Sequence, residues 1–449
     1  MDIIVGDIIE GIVADFASDG EGVIKLDGYP VFVPHALKGE KIRAKITYVK
    51  KDCAFGEAVE IVTPSPLRVK PRCPYFGKCG GCDIQHADTP LQLEIKRQSV
   101  ENALRKFAGL DLNVPLPTRL NDYEYRNKLS LPFAYNPRSK RVSLGFYEKR
   151  SHKVVPIKWC PLHGEWAANV IAAVGEWANE FDISVYDENT HRGLLRHAVA
   201  RMLDTLSLTI VINAVRLPKI EELATKLQKY FSDFTLYVSA NMRRDNVILG
   251  DKVQLVYGRE EKQNLGKFKA VVSPKSFLQV NDKIRDAIYD CVAAALDGFD
   301  GDIVELYSGV GLLTAQLATR IEGANIVSVE IEPSASRDAS ELMSALGLSN
   351  RVKCICDDAK NYLANADNGE GRALILDPPR RGCDRAVLDS ATNFDRIIYV
   401  SCNPQTLARD LKILSADYDV ASVKPFDMFP QTSNVECVAI LKRKNKSRS

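Results

Sequence analysis

The chain has 449 residues, too many for one hydrophobic core, so two to four domains are expected. Its 45% hydrophobic and 26% charged content is that of an ordinary globular protein, and a net charge of +2 excludes capture of a polyanion by bulk charge alone. No apolar run reaches the ~18 residues of a membrane span and Met1-Asp-Ile-Ile-Val-Gly lacks a signal-peptide pattern, so a cytoplasmic setting is expected, where eleven cysteines point to metal or catalytic use rather than disulfides.

Residues 1–62 alternate short strands with glycine turns. Strands are predicted at Asp7–Val13, Glu21–Leu26, Tyr29–Val33, Lys41–Val49 and Phe55–Ile61, with Asp19-Gly20 and Asp27-Gly28 as hairpin turns. This describes a small OB-like β-barrel, a scaffold often used on oligonucleotides, with a generic SH3-like barrel as the alternative. Thr63-Pro-Ser-Pro66 reads as a linker. A cysteine-rich knot from Cys73 to Cys82 follows, then a helical stretch from about Pro90 to Phe107. Between about 118 and 270, alternating strands (Leu206–Val215, Thr235–Ser239) mix with amphipathic helices (Trp166–Phe181, Lys219–Tyr230), an α+β pattern that assigns no function by itself. From about residue 283 strands at 302–307, 326–331, 352–356, 373–377 and 396–401 are separated by helical segments, with later extended runs near 418–424 and 435–442. Such regular alternation predicts an α/β, doubly wound parallel sheet. Expected domains are therefore 1–62, 63–270 and 271–449.

Three basic clusters stand out: Lys41, Arg43, Lys45, Lys50 and Lys51; Arg138, Lys140, Arg141, Lys149, Arg150 and Lys153, with Phe146 and Tyr147 among them; and Lys442, Arg443, Lys444, Lys446 and Arg448. Each alone is more often a solvated face than a site, but three together make a polyanionic partner worth testing.

The chemistry-bearing residues gather at predicted strand ends, where open α/β sheets bind ligands. Gly309 and Gly311 follow the first strand and permit a tight turn close to a ligand. Glu330 ends the second strand, at the offset where a carboxylate binds ribose hydroxyls. Asp358 follows the third strand, as an adenine-edge contact or, equally, a helix N-cap. Asp377 ends the fourth, ahead of Pro378-Pro379-Arg380, and an apolar strand has no packing reason to end in an acid and two prolines. The fifth, Ile397-Ile-Tyr-Val-Ser401, delivers Cys402 with Asn403-Pro404 behind it, a sharp exit that suits a nucleophile and equally allows a packed thiol. Asn434-Val-Glu436-Cys437 opens the last strand after Phe429-Pro430-Gln431.

In order and spacing, Gly309/Gly311, Asp377-Pro-Pro-Arg380, Ser401-Cys402-Asn-Pro404, Val435-Glu436-Cys437 and Phe277-Leu-Gln279-Val-Asn281 resemble the RNA 5-methyluridine (uracil-C5) methyltransferases over essentially the whole chain. The amino-terminal barrel resembles a TRAM domain, and the set is most similar to the TRAM-bearing, iron–sulfur-containing members that act on 23S rRNA. The resemblance implies a Rossmann-like class I methyltransferase domain behind the barrel and a central α+β domain. It implies transfer of methyl from S-adenosylmethionine to uridine carbon 5 of structured RNA, through a Cys402–uracil carbon 6 adduct, with Glu436 as the base. It further implies that Gln279, Tyr307, Gly309, Gly311, Glu330, Asp358 and Asp377 line the cofactor site. One departure is Leu312, where ribosomal members often carry asparagine. Cys73, Cys79, Cys82 and Cys160 match the family's ligands for a 4Fe–4S cluster, zinc bound by four cysteines being the rival. A tRNA substrate, an amino-directed adenine or guanine methyltransferase, and a non-catalytic RNA-binding or ribosome-assembly factor stay open as alternatives. No protein partner is implied.

Overall fold

A computed structural model describes residues 3–365 and 371–444; Lys446 and Arg448 of the third basic cluster lie outside the described residues. Five strands, β1 (Ile8–Phe16), β2 (Gly22–Leu26), β3 (Tyr29–Val33), β4 (Lys41–Val49) and β5 (Ala54–Thr63), close a barrel in the order β1-β2-β3-β5-β4. Period-two alternation along β4 sends Ile42, Ala44 and Ile46 into the barrel and Lys41, Arg43 and Lys45 to its surface. Lys41 and Arg43 are spent there on Glu10, and Arg43 also on Glu60. The linker is held rather than free. Fully buried Glu40 accepts from Arg68 through both oxygens (2.6 and 2.7 Å) and from the Ser65 N–H (3.1 Å).

Helix α1 (Thr89–Ala103) starts where the Asp88 carboxylate accepts the Leu91 N–H (3.0 Å) and Pro90 occupies its first turn. The α-helix stops short of Phe107 because the backbone widens into a π turn at Leu104–Ala108, which left-handed Gly109 ends. In sequence α1 belongs with the middle of the chain; in space Val100, Ala103 and Leu104 share a buried cluster with Leu374, Tyr399 and Leu407 of the carboxyl-terminal unit. Fully buried Lys96 on α1 pairs with fully buried Asp427, and desolvation pulls its ammonium down to about 8 against that attraction. Lys96→Met leaves Asp427 only Arg119 (3.3 Å). Breaking a buried ion pair costs about 3–5 kcal/mol when no other partner remains and less with Arg119 in place, so the variant is expected to unfold at clearly lower urea, and a loss under about 1 kcal/mol would show the pair to be dispensable.

The middle sheet has the order β12-β11-β10-β9-β6-β7-β8. Its strands are β6 (Lys128–Asn136), β7 (Arg141–Tyr147), β8 (Val154–Pro156), β9 (Leu195–Met202), β10 (Leu206–Ile212), β11 (Phe234–Ala240) and β12 (Lys252–Tyr257). Helices α2 (Glu165–Glu180) and α3 (Ile220–Gln228) seal one face, where the buried Trp177 indole donates to the Lys219 carbonyl (2.8 Å).

After the hairpin β13 (Gln263–Leu265) and β14 (Phe268–Ala270) comes α4 (Asp282–Ala294), then a second seven-stranded sheet. Its parallel strands β15 (Asp302–Leu306), β16 (Ile326–Glu330), β17 (Val352–Cys356), β18 (Arg372–Leu376) and β19 (Arg396–Ser401) alternate with α5 (Leu312–Arg320), α6 (Pro333–Ala345), α7 (Ala359–Asn365), α8 (Arg385–Ser390) and α9 (Pro404–Leu414). Two antiparallel strands finish it: β20 (Tyr418–Phe426) and, inserted between β19 and β20, β21 (Glu436–Arg443). In the order β17-β16-β15-β18-β19-β21-β20, successive strands are added to one side of β15 and then, from β18 on, to the other, so the ligand crevice of this Rossmann-like sheet lies outside the carboxyl ends of the parallel neighbours β15 and β18. Among the described residues no helix is long and apolar enough to cross a membrane.

Candidate active site

Leaving β15, Tyr307 adopts a left-handed backbone (φ 64°), rare for a side chain of this size, and Gly309 and Gly311 follow at φ 56° and 75°. A Cβ on Gly311 would stand 2.8 Å from that of Ala339, so only glycine lets the turn lie against α6. Glu330, at the end of β16, accepts the Gly309 N–H (2.9 Å) through one oxygen and the Glu332 N–H (2.8 Å) through the other. Asp358 accepts the Lys360 N–H (2.9 Å) through one oxygen at the start of α7, as a helix cap does. Leu312 is 2% exposed in the apolar core and offers the crevice no polar atom. Gln279 is reached from the middle sheet, because Asn127 donates through its side chain to the Gln279 carbonyl (3.1 Å) and through its N–H to that of Val280 (3.0 Å).

Cys402 stands between β19 and α9. Asn403, extended (φ −140°) ahead of Pro404, accepts the Gln405 N–H (3.0 Å), and its amide and the Thr406 hydroxyl both donate to the Arg380 carbonyl (3.2 Å each). The Asp377–Arg380 loop is thereby tied to the start of α9. Antiparallel pairing places Ser401 opposite Cys437, so one step further Cys402 and Glu436 come side by side. Cys402, Glu436, Asp377 and Arg380 thus form one electrostatic group. Burial raises the Cys402 thiol to about 11, with Glu436 and Asp377 adding to the rise and Arg380 opposing it. Burial, then Asp377, holds the Glu436 carboxyl well above the usual range, against Arg380 and Gln279. Burial brings Asp377 to about 7. One Glu436 oxygen is buried with no hydrogen-bond partner, which is costly unless something outside the chain satisfies it.

A thiol titrating at about 11 is nearly all protonated at pH 7. Since only the thiolate reacts, alkylation of Cys402 by iodoacetamide is expected to accelerate about tenfold per pH unit from 7 towards 10, followed by peptide mass spectrometry. A rate that levels off below pH 8 would contradict the burial effect.

The loop before Glu436 is clamped from three sides. Gln431 is left-handed (φ 73°), and its carbonyl accepts the N–H groups of Asp83 and Ile84 (3.2 Å each). The Gln431 side chain accepts from Gln92 of α1 (3.0 Å), Tyr125 donates to the Pro430 carbonyl (2.9 Å), and Lys96 to that of Phe429 (3.0 Å).

Comparison with known proteins places this arrangement. Residues 90–444 match the family model for tRNA (uracil-5-)-methyltransferases, and residues 4–59 the TRAM domain. The chain belongs to the tRNA (uracil-5-)-methyltransferase family. It is 36% identical to an uncharacterised RNA methyltransferase of Halalkalibacterium halodurans, covering 98% of each chain, and 33% identical to one of Staphylococcus epidermidis over 97% of each. Among solved structures it is similar to the tRNA (uracil-54, C5)-methyltransferase of Pyrococcus abyssi in complex with S-adenosyl-L-homocysteine, with 28% identity and a TM-score of 0.76 over 96% of this chain and 100% of that one. It is therefore an S-adenosylmethionine-dependent RNA methyltransferase with a TRAM barrel and a Rossmann-like catalytic domain.

In this family member the four cysteines at 73, 79, 82 and 160 come together from two segments: burial raises all four thiols, Cys73 adds to the rise of Cys79, Cys73 and Cys79 to that of Cys160, and Cys160 and Cys79 to that of Cys82. None is in a disulfide. As a donor set they suit a four-thiolate group. Their side chains follow local packing instead: the Cys79 sulfur accepts the Gly81 N–H (3.4 Å), and Cys82 lies against Gln85. Among the described residues no group of three or more His, Cys, Asp or Glu side chains is arranged to hold a metal ion.

Two contributors to the site were left without a role by sequence reasoning. Arg380 sits inside the Asp-Pro-Pro-Arg motif, yet its influence on both Cys402 and Glu436 exists only once β18, β19 and β21 are side by side. Asn127 carries no sequence signal beyond a polar residue ahead of a strand.

Proposed function

We propose that this enzyme methylates carbon 5 of a uridine in structured RNA through a transient bond between Cys402 and uracil carbon 6. The observation that carries the reading is the closeness of Cys402, after β19, to Glu436, at the start of β21, whose buried oxygen lacks a partner, with Asp377 at the end of β18 acting on both. Uracil carbon 5 is a weak nucleophile. Addition of the Cys402 thiolate to carbon 6 moves the ring electrons towards oxygen 4 and carbon 5, making carbon 5 reactive. S-adenosylmethionine, when bound, would supply an electrophilic methyl group to carbon 5, its sulfur keeping the electrons of the broken S–CH3 bond and leaving as S-adenosylhomocysteine. Glu436 then removes the carbon 5 proton, its high proton affinity suiting it to a carbon acid, and the returning electron pair expels the thiolate. Arg380 favours the thiolate at the start and the carboxylate of Glu436 before it accepts the proton. Gln279, Tyr307, Gly309, Gly311, Glu330, Asp358 and Asp377 are the residues we assign to the cofactor crevice.

The target base must leave its stack to reach Cys402, which favours loops over duplex. The TRAM barrel and the four cysteines support 23S rRNA as the substrate. A tRNA substrate is the second reading, favoured by similarity to the Pyrococcus abyssi enzyme. Incubating the protein with labelled S-adenosylmethionine and either rRNA or tRNA from cells lacking it, then mapping 5-methyluridine, decides between them. Label on an exocyclic amine, or none on either RNA, would sink the reading. We further assign the four cysteines to a 4Fe–4S cluster, zinc being the rival. Cys82 is followed directly by Asp83 and Ile84, which hold Gln431, so a bound group would stiffen the clamp on the Glu436 loop. Protein prepared without oxygen should be brown and contain iron and sulfide; colourless protein with stoichiometric zinc would overturn the assignment.

A further inference from the structure

Strand β6 pairs with β9 through residues 128–132 and then leaves it to pair with β7 through 133–136. Where the sheet splits, a cavity of about 970 Å³ opens between the β6–β7 hairpin and the 182–189 segment, sharing no residue with the active site. Tyr135, Tyr147 and Tyr186 line it. Tyr135 is 53% exposed, the His152 ring stacks on Tyr147 (5.2 Å between centroids), and the Arg196 guanidinium covers Tyr186 (4.6 Å).

Charge around this cleft is unevenly spent. Of the second basic cluster, Lys149 and Arg150 pair with Asp19 and Glu21 of the barrel, and Lys153 with Glu148. Arg138, Lys140 and Arg141, exposed at the hairpin tip beside the mouth, form no ion pair among the described residues. The acids in the lining are largely engaged: Glu188 with His152 (2.7 Å), and Asp187 with the N–H groups of Asn189 and Thr190 (3.1 and 2.7 Å). Asp182 remains as an acceptor towards base N–H groups.

We propose that this cleft binds an unpaired nucleotide of the RNA substrate other than the target uridine, its base among the tyrosines and its flanking phosphates on Arg138, Lys140 and Arg141. Aromatic platforms beside a basic rim are what single-stranded RNA requires. The inference rests on the RNA-methylating reading above and extends it to a second recognition site. Five residue steps along the chain lead from Asn127, which holds Gln279, to Pro132 at the cleft, a span of about 17 Å, so one RNA can occupy both places only with several nucleotides between them.

The test compares methyl transfer to full-length substrate RNA with transfer to a short hairpin carrying only the target loop. For the triple variant Arg138→Glu/Lys140→Glu/Arg141→Glu, KM for the long RNA should rise about tenfold or more and its salt dependence should weaken. Tyr135→Ala should raise the same KM about fivefold. In both, kcat and KM for the short hairpin should stay as in the parent enzyme. An unchanged KM on the long RNA, or equal losses on both RNAs, overturns the proposal. If the parent enzyme itself places no methyl on uridine carbon 5, the functional reading has failed instead. Filter retention of the long RNA then decides the cleft, and equal retention by parent and variants overturns it.

Discussion

Cys402→Ala is expected to abolish methyl transfer to uridine, lowering the rate by on the order of 10⁴ or more, as removal of a covalent nucleophile does. The side chain is small and stands at a rim, and Asn403 and Thr406 keep the turn in place through the Arg380 carbonyl. Binding of S-adenosylmethionine should therefore persist, measurable by calorimetry on the same preparation. This combination distinguishes chemistry from collapse. An amino-directed methyltransferase needs no thiol, so a variant retaining a tenth of its parent's activity would remove the adduct from the mechanism. Cys402→Ser should behave like the alanine variant, because a hydroxyl is not ionised at neutral pH.

Glu436→Gln is expected to separate the two halves of the reaction. Glutamine fills the same buried position but cannot take a proton from carbon 5. Turnover should fall by about 10³, within the range assigned to general-base catalysis. Addition of Cys402 and methylation do not need that base, so protein joined to methylated RNA should accumulate. It would appear as a slow band carrying methyl label on a denaturing gel, absent when Cys402 is also replaced. A variant equally slow but forming no such band would assign Glu436 to positioning rather than proton removal. The charge change has its own sign. Burial is the main cause of the raised Cys402 thiol and Glu436 adds to it, so removing the carboxylate should lower that thiol somewhat from about 11 and speed alkylation of the RNA-free variant at pH 8.

Much of this molecule could be read along the chain because the deciding forces were local. The alternation of Lys41 to Ile46 made a barrel strand, proline and an N-capping asparagine turned β19 into α9, and only glycine suited the backbone at 311. Buried parallel strands show as apolar runs, so their ends, with Asp377 and Cys402, were visible as well. Where a residue had two local uses, sequence could not choose between them: Asp358 caps α7 through one oxygen and stands on the cofactor side of the sheet as well.

Sequence alone determined the strand-and-helix alphabet and the family, since both depend on residue type and spacing within short windows. Tertiary structure decided which distant residues became neighbours. Insertion of β21 beside β19 brought Glu436 to Cys402, the packing of α1 on the carboxyl-terminal unit put Lys96 beneath the Glu436 loop, and barrel acids took Lys149 and Arg150 while leaving Arg138, Lys140 and Arg141 free among the described residues. Strand order and charge pairing are properties of the whole chain: they follow from the lowest free energy over all long-range contacts together, and no local pattern encodes them.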